Sequence, residues 1–260
     1  MKLEGKVAVV TGAGSGIGEG AARRFAREGA AVGVIDYRAE AAETVANAIN
    51  ADGGRAIALT ADVRDENQTA AAVRATASHF GGLHVVFANA GINGMQCPIE
   101  EMTLDEWRAT IDTNLTGTFL TVKPSIPLLR DSGGGSIIIT ASVNGNRSFS
   151  LPGYSAYSSA KGAQAVFGRM AALELARWNI RVNTLCPGGV KTNIGERTYR
   201  RNIEKVRWDI KMPEHFPPLH GRPSNPDEMA EVVLFLASDD SRYVTGIEIY
   251  ADAGSTLLRG

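Results

Sequence analysis

From its sixth residue the chain reads Lys6-Val7-Ala8-Val9-Val10-Thr11-Gly12-Ala13-Gly14-Ser15-Gly16-Ile17-Gly18, and this stretch decides the fold. An apolar run typical of a buried parallel strand comes first, and a glycine-rich turn then leads into a helical stretch that ends near Glu28. Glycines let backbone N–H groups and the positive end of a helix approach an anion, because no side chain stands between them. The stretch therefore predicts a binding site for the pyrophosphate of a dinucleotide.

A carboxylate after the second predicted strand bears on the choice of cofactor. The apolar run 31–35 ends in Asp36, about 20 residues beyond the glycine turn, where an acid can bind the adenosine ribose hydroxyls. That carboxylate would repel the extra phosphate of NADP, and both Ser15 and Tyr37 are uncharged. We therefore predict NAD as the cofactor, although Arg38 would partly offset the repulsion.

Strands and helices alternate along the whole chain. Strands are predicted at 6–11, 31–36, 55–60, 83–88, 136–141, 180–186 and 246–250. Helices that end at 28 and 52 are predicted after the first two strands, and further helices are predicted at 65–80, 103–129, 155–177 and 226–237. Pro124 and Pro127 predict a kink or late break in the long fourth helical region. Repeated strand-helix units predict an α/β chain, a single Rossmann domain over 1–260. Its doubly wound parallel sheet of about seven strands has helices on both faces and binds ligands beyond the carboxyl ends of the strands.

Composition narrows the class of partner. The 260 residues carry a formal net charge of −1 with acids and bases mixed, which indicates a small-molecule partner and neither a nucleic-acid nor a membrane surface. No apolar run approaches the roughly 20 residues of a membrane span and no signal-peptide core is evident, so a cytoplasmic protein is expected. Cys97, Cys186 and the four histidines follow no metal-binding spacing, and no catalytic metal is expected.

Tyr157 and Lys161 stand four residues apart in a predicted helix, downstream of Ser142. Residues at this spacing share a helix face, so the phenol and the ammonium can point into one site. Lowering a tyrosine pKa from about 10 to about 7 requires about 4 kcal/mol of preferential phenolate stabilisation. A nearby lysine and a cationic nicotinamide ring can supply it. Tyr154 is a weaker candidate for the acid/base group, because Ser158 and not a lysine stands four residues after it.

Several motifs in order resemble those of the short-chain dehydrogenase/reductase family over essentially the full length of the chain. Thr11 to Gly18 is similar to the family's Thr-Gly-x-x-x-Gly-x-Gly turn, and Asn89-Ala90-Gly91 is similar to its Asn-Asn-Ala-Gly element, with Ala88 in place of the first asparagine. Asn114, Ser142, Tyr157 and Lys161 then follow in the family's order, and Pro187-Gly188-Gly189-Val190-Lys191-Thr192 resembles its late nicotinamide-binding segment.

The resemblance implies a role for each matching residue. Tyr157 would be the general base in oxidation and the general acid in reduction, Ser142 would hydrogen-bond the substrate oxygen, and Lys161 would lower the Tyr157 pKa and hold the nicotinamide ribose. Asn114 would anchor a proton-relay water. The residues expected to bind the cofactor are Gly12, Ser15, Gly16, Ile17, Gly18, Asp36, Tyr37, Asp62, Val63, Asn89, Ala90, Gly91, Tyr157, Lys161, Pro187, Gly188, Val190 and Thr192. Asp62 would meet the adenine.

The expected reaction is NAD-dependent hydride transfer between a secondary alcohol and its ketone. Two alternatives stay open, an NADPH-dependent 3-oxoacyl reductase and a non-catalytic nucleotide-sensing protein. The resemblance also implies a homo-oligomer, either a tetramer or a dimer.

The substrate depends on a segment at 193–223, where the family carries its substrate lid. Its basic residues are Arg197, Arg200, Arg201, Lys205, Arg207 and Lys211. They could clamp an anionic substrate, but a solvated helix face or an oligomer contact is the favoured reading. Four polar residues near the expected pocket favour a sugar or polyol over a long acyl chain: Asn93, Gln96, Asn144 and Asn146.

Overall fold

The computed structural model describes residues 1–206 and 211–258. Nine strands are present in these ranges: β1 (Val7–Thr11), β2 (Ala31–Asp36), β3 (Arg55–Thr60), β4 (Val85–Ala88), β5 (Gly94–Gln96), β6 (Gly135–Thr140), β7 (Ile180–Pro187), β8 (Thr198–Arg200) and β9 (Glu248–Ala251). Seven α-helices accompany them: α1 (Gly16–Arg27), α2 (Ala39–Ala51), α3 (Glu66–Phe80), α4 (Leu104–Ile111), α5 (Gly117–Asp131), α6 (Ser155–Leu175) and α7 (Pro226–Ala237).

Seven of the strands form one parallel sheet in the order β3-β2-β1-β4-β6-β7-β9. The chain runs outward from β1 to β3 and then returns to the other side of β1, so the topological switch point lies between β1 and β4. In such sheets the crevice for ligands opens at the carboxyl ends of the strands at this point. The predicted α/β class and the predicted parallel sheet of about seven strands are confirmed.

The sheet separates two apolar cores. Phe25 of α1 and Val233 of α7 pack on one face with Val10, whereas Val73 of α3 packs on the opposite face with Val9. Successive residues of a strand point to opposite faces, so a strand covered on both sides must be apolar at every position. This requirement accounts for the continuous apolar runs of β1 and β2. Among the described helices, none is both long and apolar enough to cross a membrane.

The long helical region predicted at 103–129 differs from the structure in one respect. α5 runs through both Pro124 and Pro127, and the interruption lies earlier, at one turn of π-helix, Asp112–Thr116. The side chain of Asn114 in this turn donates to the carbonyl of Thr110 at 2.9 Å. Wide turns of this kind leave backbone groups unpaired, and the amide of Asn114 satisfies one of them.

The two-stranded parallel sheet of β5 and β8 was not predicted from the sequence. Gly94, Met95 and Gln96 pair with Thr198, Tyr199 and Arg200 respectively. Three residues are too few for a period-2 pattern to be recognised. The consequence is that the segment expected to cover the substrate is held to the loop after β4 by backbone hydrogen bonds.

Three strand ends meet at the side chains of Thr11, Asn89 and Thr140. The Thr11 hydroxyl accepts the Asn89 N–H at 3.1 Å and the Ala90 N–H at 3.3 Å. The Asn89 amide donates to the Thr11 carbonyl at 3.1 Å and accepts from the Thr140 hydroxyl at 3.1 Å. These bonds connect β1, β4 and β6 where the crevice opens.

Replacing Thr11 by valine tests this connection. The change keeps the shape of the buried side chain but leaves two N–H groups without an acceptor, and we expect a loss of about 2–4 kcal/mol in the free energy of unfolding. The measurement is equilibrium urea denaturation followed by circular dichroism.

Thr44→Val in α2 is the matched control, since the exposed Thr44 hydroxyl bonds only the Glu40 carbonyl. It is expected to change the free energy of unfolding by less than about 0.5 kcal/mol. Equal effects of the two substitutions would contradict a special role for the Thr11 hydroxyl.

Candidate active site

A cleft of about 360 Å³ opens at the carboxyl end of the sheet and extends from the glycine turn to the start of α6. Most of the predicted site residues line it: Gly12, Ser15, Gly16, Ile17, Asp36, Tyr37, Asn89, Ala90, Gly91, Ser142, Tyr157, Lys161, Pro187, Gly188, Val190 and Thr192. Four predicted residues do not line it: Gly18, Asp62, Val63 and Asn114. The cleft thus brings together residues that are up to 180 positions apart in the sequence.

The glycine turn leaves no room for side chains. A Cβ atom on Gly18 would lie 2.1 Å from the Gly12 carbonyl oxygen, and one on Gly12 would lie 2.9 Å from the Cα atom of Ala90. Gly12 also adopts a φ of +63°, which glycine tolerates best. The turn therefore packs directly against the loop after β4 and leads into the N-terminus of α1 at the cleft. Backbone N–H groups in this arrangement fit the pyrophosphate of a dinucleotide.

Asp36 is buried at the end of β2, beside the turn. One carboxylate oxygen accepts the Gly14 N–H at 3.0 Å, and the other accepts the Arg38 N–H at 3.1 Å. The Arg38 guanidinium lies 3.6 Å from the carboxylate and donates to the Ser15 hydroxyl at 3.5 Å. The Asp36 carboxylate is thereby held in one orientation beside the glycine turn.

Asp62, the residue expected to contact the adenine, forms an ion pair with Arg64, two residues further along the chain. Both of its carboxylate oxygens accept from the Arg64 guanidinium, at distances of 2.5–3.0 Å. These bonds lower the pKa of the Asp62 carboxyl. Its carboxylate is therefore charged and already occupied.

Ser142, Tyr157 and Lys161 form a buried cluster on the wall of the cleft. Ser142 follows β6 and hydrogen-bonds Tyr157, which lies in the first turn of α6. Lys161 lies one turn further along α6, and its ammonium is 5.7 Å from the centre of the Tyr157 ring. Lys161 also donates to the Thr140 carbonyl at 2.7 Å, which anchors α6 to the end of β6.

Burial shifts the pKa values of the two titrating groups in opposite directions. It raises the pKa of Tyr157 to about 12, although the hydrogen bond from Ser142 acts to lower it. It lowers the pKa of Lys161 to about 7. Because a phenolate and an ammonium stabilise one another, any charge formed on one group favours charge on the other.

Asn114 lies behind this cluster. Its side chain accepts the Ile92 N–H at 3.1 Å and donates to the Ile92 carbonyl at 3.0 Å. It therefore holds both backbone polar groups of one residue in the loop after β4. A Cβ atom on Gly91 would lie 2.4 Å from the Asn114 side-chain oxygen and 3.4 Å from the Lys161 ammonium nitrogen. Asn114 and Lys161 therefore approach one another across Gly91.

The predicted lid is attached to the rest of the chain by ion pairs as well as by β8. Arg201 donates two parallel hydrogen bonds to the Glu106 carboxylate at 2.7 and 2.9 Å, and Lys205 pairs with Glu101 at 2.5 Å. At its other end, the Arg197 guanidinium lies 4.3 Å from the centre of the Tyr37 ring. Arg207 and the following three positions of the predicted lid lie outside the described residues.

The carboxylates that pair with the lid, Glu101 and Glu106, were not predicted from the sequence. Glu106 stands three residues after Thr103, and this pattern predicts the capping box that the structure contains at the start of α4. Nothing in the spacing indicates that the same carboxylate also binds an arginine 95 residues away.

Comparisons with known proteins agree on one family. A family model described as Enoyl-(Acyl carrier protein) reductase matches residues 12–256. The chain is 38% identical over 255 residues to cyclohexanol dehydrogenase of Acinetobacter sp. (strain SE19), with 98% of this chain and 96% of that protein covered. It is 37% identical over 253 residues to cis-4-hydroxycyclohexanecarboxylate dehydrogenase of Sinomonas cyclohexanicum, with 97% of each covered. A solved structure of a 3-ketoacyl-ACP reductase from Sinorhizobium meliloti 1021 matches with a TM-score of 0.93 at 43% identity, covering 97% of this chain and 100% of the other.

Replacing Arg201 by methionine tests the attachment of the lid. The change removes the bidentate pair with Glu106, and we expect amide hydrogen exchange of residues 198–206 to accelerate several-fold. Arg108→Met in the same helix as Glu106 is the control and is expected to leave that exchange unchanged, because among the described residues Arg108 has no ion-pair partner within 4.0 Å.

The same pair gives an expected pH dependence. Arg201 holds the pKa of Glu106 at about 2, below its usual value of 4.5. A carboxylate with a lowered pKa stabilises the folded state fully at pH values above its usual pKa. This stabilisation is lost as the pH falls toward the lowered pKa. The protected exchange of 198–206 is thus expected to persist at pH 5. Loss of protection at that pH would contradict the assigned pairing.

Proposed function

The chain belongs to the short-chain dehydrogenase/reductase family and is an oxidoreductase that acts on CH–OH groups with NAD(P), and we propose that it converts a secondary alcohol to its ketone with NAD. The observation that carries the proposal is the buried cluster of Ser142, Tyr157 and Lys161 on the wall of a cleft that continues to the glycine turn. A hydroxyl, a phenol and an ammonium at one site provide acid/base chemistry. The turn provides an anion site within the same cleft.

Tyr157 is the proposed acid/base group. Its phenolate takes the proton of the alcohol in oxidation, and its phenol returns a proton to the forming alkoxide in reduction. NAD, when bound, supplies the hydride acceptor. The raised Tyr157 pKa keeps the phenol protonated in the reducing direction. In the oxidising direction, positive charge beside the Tyr157 hydroxyl must lower the Tyr157 pKa. Lys161 is a source of such charge within the chain.

Ser142 and Asn114 are proposed to position the reacting groups. The Ser142 hydroxyl accepts the Asn144 N–H at 3.2 Å, and it is proposed to redirect its proton from Tyr157 to the substrate oxygen when the substrate binds. Asn114 holds Ile92, approaches Lys161 across Gly91, and is proposed to anchor a relay water in that region.

Cofactor binding is proposed for the residues predicted from the sequence. Backbone N–H groups of Ser15, Gly16 and Ile17 bind the pyrophosphate, Asp36 binds the adenosine ribose, and Val190 and Thr192 contact the carboxamide and phosphate region. The remaining members of the set are Gly12, Gly18, Tyr37, Asp62, Val63, Asn89, Ala90, Gly91, Pro187 and Gly188. The Gly14 N–H holds the Asp36 carboxylate at the end of β2. This position supports NAD, because the carboxylate would repel the extra phosphate that NADP carries on its adenosine ribose.

The proposed substrate class is a compact ring alcohol. A second pocket of about 280 Å³ shares Asn144 and Tyr154 with the cleft. Its other lining side chains are mainly apolar, including Ile99, Phe149 and Leu151. Two relatives are named for ring alcohols, cyclohexanol and cis-4-hydroxycyclohexanecarboxylate. These observations favour a ring alcohol over a sugar or polyol.

Reduction of a 3-oxoacyl thioester with NADPH is the second candidate. It is supported by the name of the Sinorhizobium meliloti structure, a 3-ketoacyl-ACP reductase, at 43% identity. Asp36 argues against it, since the buried carboxylate disfavours the phosphate that distinguishes NADPH.

A homo-oligomer, either a tetramer or a dimer, is proposed as the working form. Four apolar side chains of α5 and α6 are between 44% and 79% exposed: Phe119, Val166, Met170 and Leu173. An apolar surface of this kind is typical of an interface between protein chains.

Replacing Tyr157 by phenylalanine tests the acid/base role. We expect kcat for cyclohexanol oxidation with NAD to fall by about 10²- to 10⁴-fold, because the proton acceptor is removed while the ring is kept. Tyr243→Phe is the control, as Tyr243 is fully exposed and lies outside the cleft. If Tyr154→Phe abolished turnover and Tyr157→Phe did not, the assignment would pass to Tyr154.

Replacing Asp36 by asparagine tests the choice of cofactor. The change keeps the size of the side chain and removes its charge, so we expect the ratio of kcat/KM with NAD to kcat/KM with NADP to fall by about 10-fold or more. Asp52→Asn at the exposed end of α2 is the control. An unchanged ratio, or a parent protein that prefers NADP, would overturn the proposal that Asp36 determines a preference for NAD.

A further inference from the structure

Most of the basic side chains of the lid are occupied by other residues of the chain. Arg201 and Lys205 are paired with carboxylates of the segment 101–106, and Arg197 lies over Tyr37. Over the described ranges 1–206 and 211–258, three basic lid residues have no carboxylate partner within 4.0 Å: Arg197, Arg200 and Lys211. Because Arg197 is engaged with the Tyr37 ring, the possibility of an anion clamp in the lid narrows to Arg200 and Lys211.

Arg200 is placed beside Gln96 by the small sheet. In the pairing of β5 with β8, Gln96 lies opposite Arg200, and the Arg200 Nε–H donates to the Gln96 side-chain oxygen at 3.2 Å. This bond fixes the direction of the guanidinium. Its two terminal nitrogens form no hydrogen bond with any described residue. Four N–H donors of a fixed, charged group are thus available for an acceptor.

Gln96 supplies a second, independent observation. Its side chain is 2% exposed, and its amide nitrogen has no hydrogen-bond partner of normal geometry among the described residues. Because the oxygen accepts from Arg200, the amide cannot be reversed without placing two donors against each other. The Gln96 amide acts on the Tyr154 hydroxyl without reaching it at normal hydrogen-bond geometry, and a ligand oxygen would satisfy this buried donor.

Tyr154 connects this pair to the reacting groups. The Tyr154 ring contacts the Tyr157 ring edge to face, with 5.5 Å between the ring centres. Its hydroxyl lies near Gln96 and Arg200, and both act to lower its pKa, which burial raises. Tyr154 lines the cleft and also the apolar second pocket. Tyr154 thus adjoins both Tyr157 and the Gln96–Arg200 pair.

We propose that Arg200, supported by the Gln96 amide, binds a carboxylate that the substrate carries across its ring from the reacting carbinol. The preferred substrate is then an alicyclic hydroxy acid and not an unsubstituted ring alcohol. This inference rests on the proposed function, since it places the carbinol at Tyr157. In this proposal the ring occupies the apolar second pocket, which Tyr154 lines.

Substrate discrimination by variants of Arg200 is the first test. The probes are cis-4-hydroxycyclohexanecarboxylate and cyclohexanol, each oxidised by the full chain with saturating NAD. We expect Arg200→Met to lower the ratio of kcat/KM for the acid to kcat/KM for cyclohexanol by about 10- to 100-fold, because a charge-assisted hydrogen bond is lost. Arg200→Lys is expected to restore part of the ratio, since it keeps the charge without the fork of donors.

Lys211→Met is the matched control, because it removes the same charge from the same segment. An equal fall in the ratio for Lys211→Met would show that the positive charge of the lid favours the acid in general, and it would overturn the subsite. A ratio for Arg200→Met within about twofold of the parent would do the same.

Binding of an unreactive acid separates this inference from the proposed function. Calorimetry with cyclohexanecarboxylate, which has no carbinol to oxidise, is expected to give a dissociation constant about 10- to 100-fold weaker for Arg200→Met than for the parent. The neutral cyclohexanecarboxamide is expected to bind both proteins more weakly than the parent binds the acid. If neither alcohol turns over but the acid binds through Arg200, the proposed function fails and the subsite stands. Equal binding of the acid by both proteins overturns the subsite.

Discussion

The active cleft depends on the hydrogen bonds that join Thr11, Asn89 and Thr140 at the switch point of the sheet. One amide side chain connects the ends of three adjacent strands, and each strand end continues into a different wall of the cleft. β1 continues into the glycine turn, β4 into Ala90 and Gly91, and β6 into Ser142. The Thr140 carbonyl also receives the Lys161 ammonium. The position of the glycine turn relative to Ser142 and Lys161 is therefore set by short hydrogen bonds within the scaffold and not by flexible loops.

Electrostatics within the cleft follow from burial. Tyr157 and Lys161 are both nearly removed from water, and each resists carrying its charge alone. A pair of this kind responds strongly to any new charge, because little water is present to screen it. At the other end of the cleft, two backbone N–H groups hold the Asp36 carboxylate in place. The two ends thus differ, because one contains buried groups with shifted pKa values and the other contains a carboxylate fixed by the backbone.

The sequence was informative where local chemistry forces a local structure. β1 and β2 are buried on both faces, so their apolar runs and the glycines after β1 could be predicted with the α/β class. The π-helical turn at Asn114 and the three-residue strands β5 and β8 could not, because their patterns are too short. The pair Arg201–Glu106 joins residues 95 positions apart, and nothing in a single sequence encodes such a partner. The rise of the Tyr157 pKa likewise depends on tertiary burial.

The parallel pairing of β8 with β5 has a consequence for the order of events during turnover. The residues just before β8 lie against Tyr37 and Arg38, where the adenosine half of the cofactor is proposed to bind, and the last residue of β8 is Arg200. Because the strand holds these two ends at a set separation, a shift at Tyr37 and Arg38 moves Arg200 as well. With the cofactor and substrate sites as proposed, such a coupled segment favours a compulsory sequence of association, in which the dinucleotide binds first and leaves last.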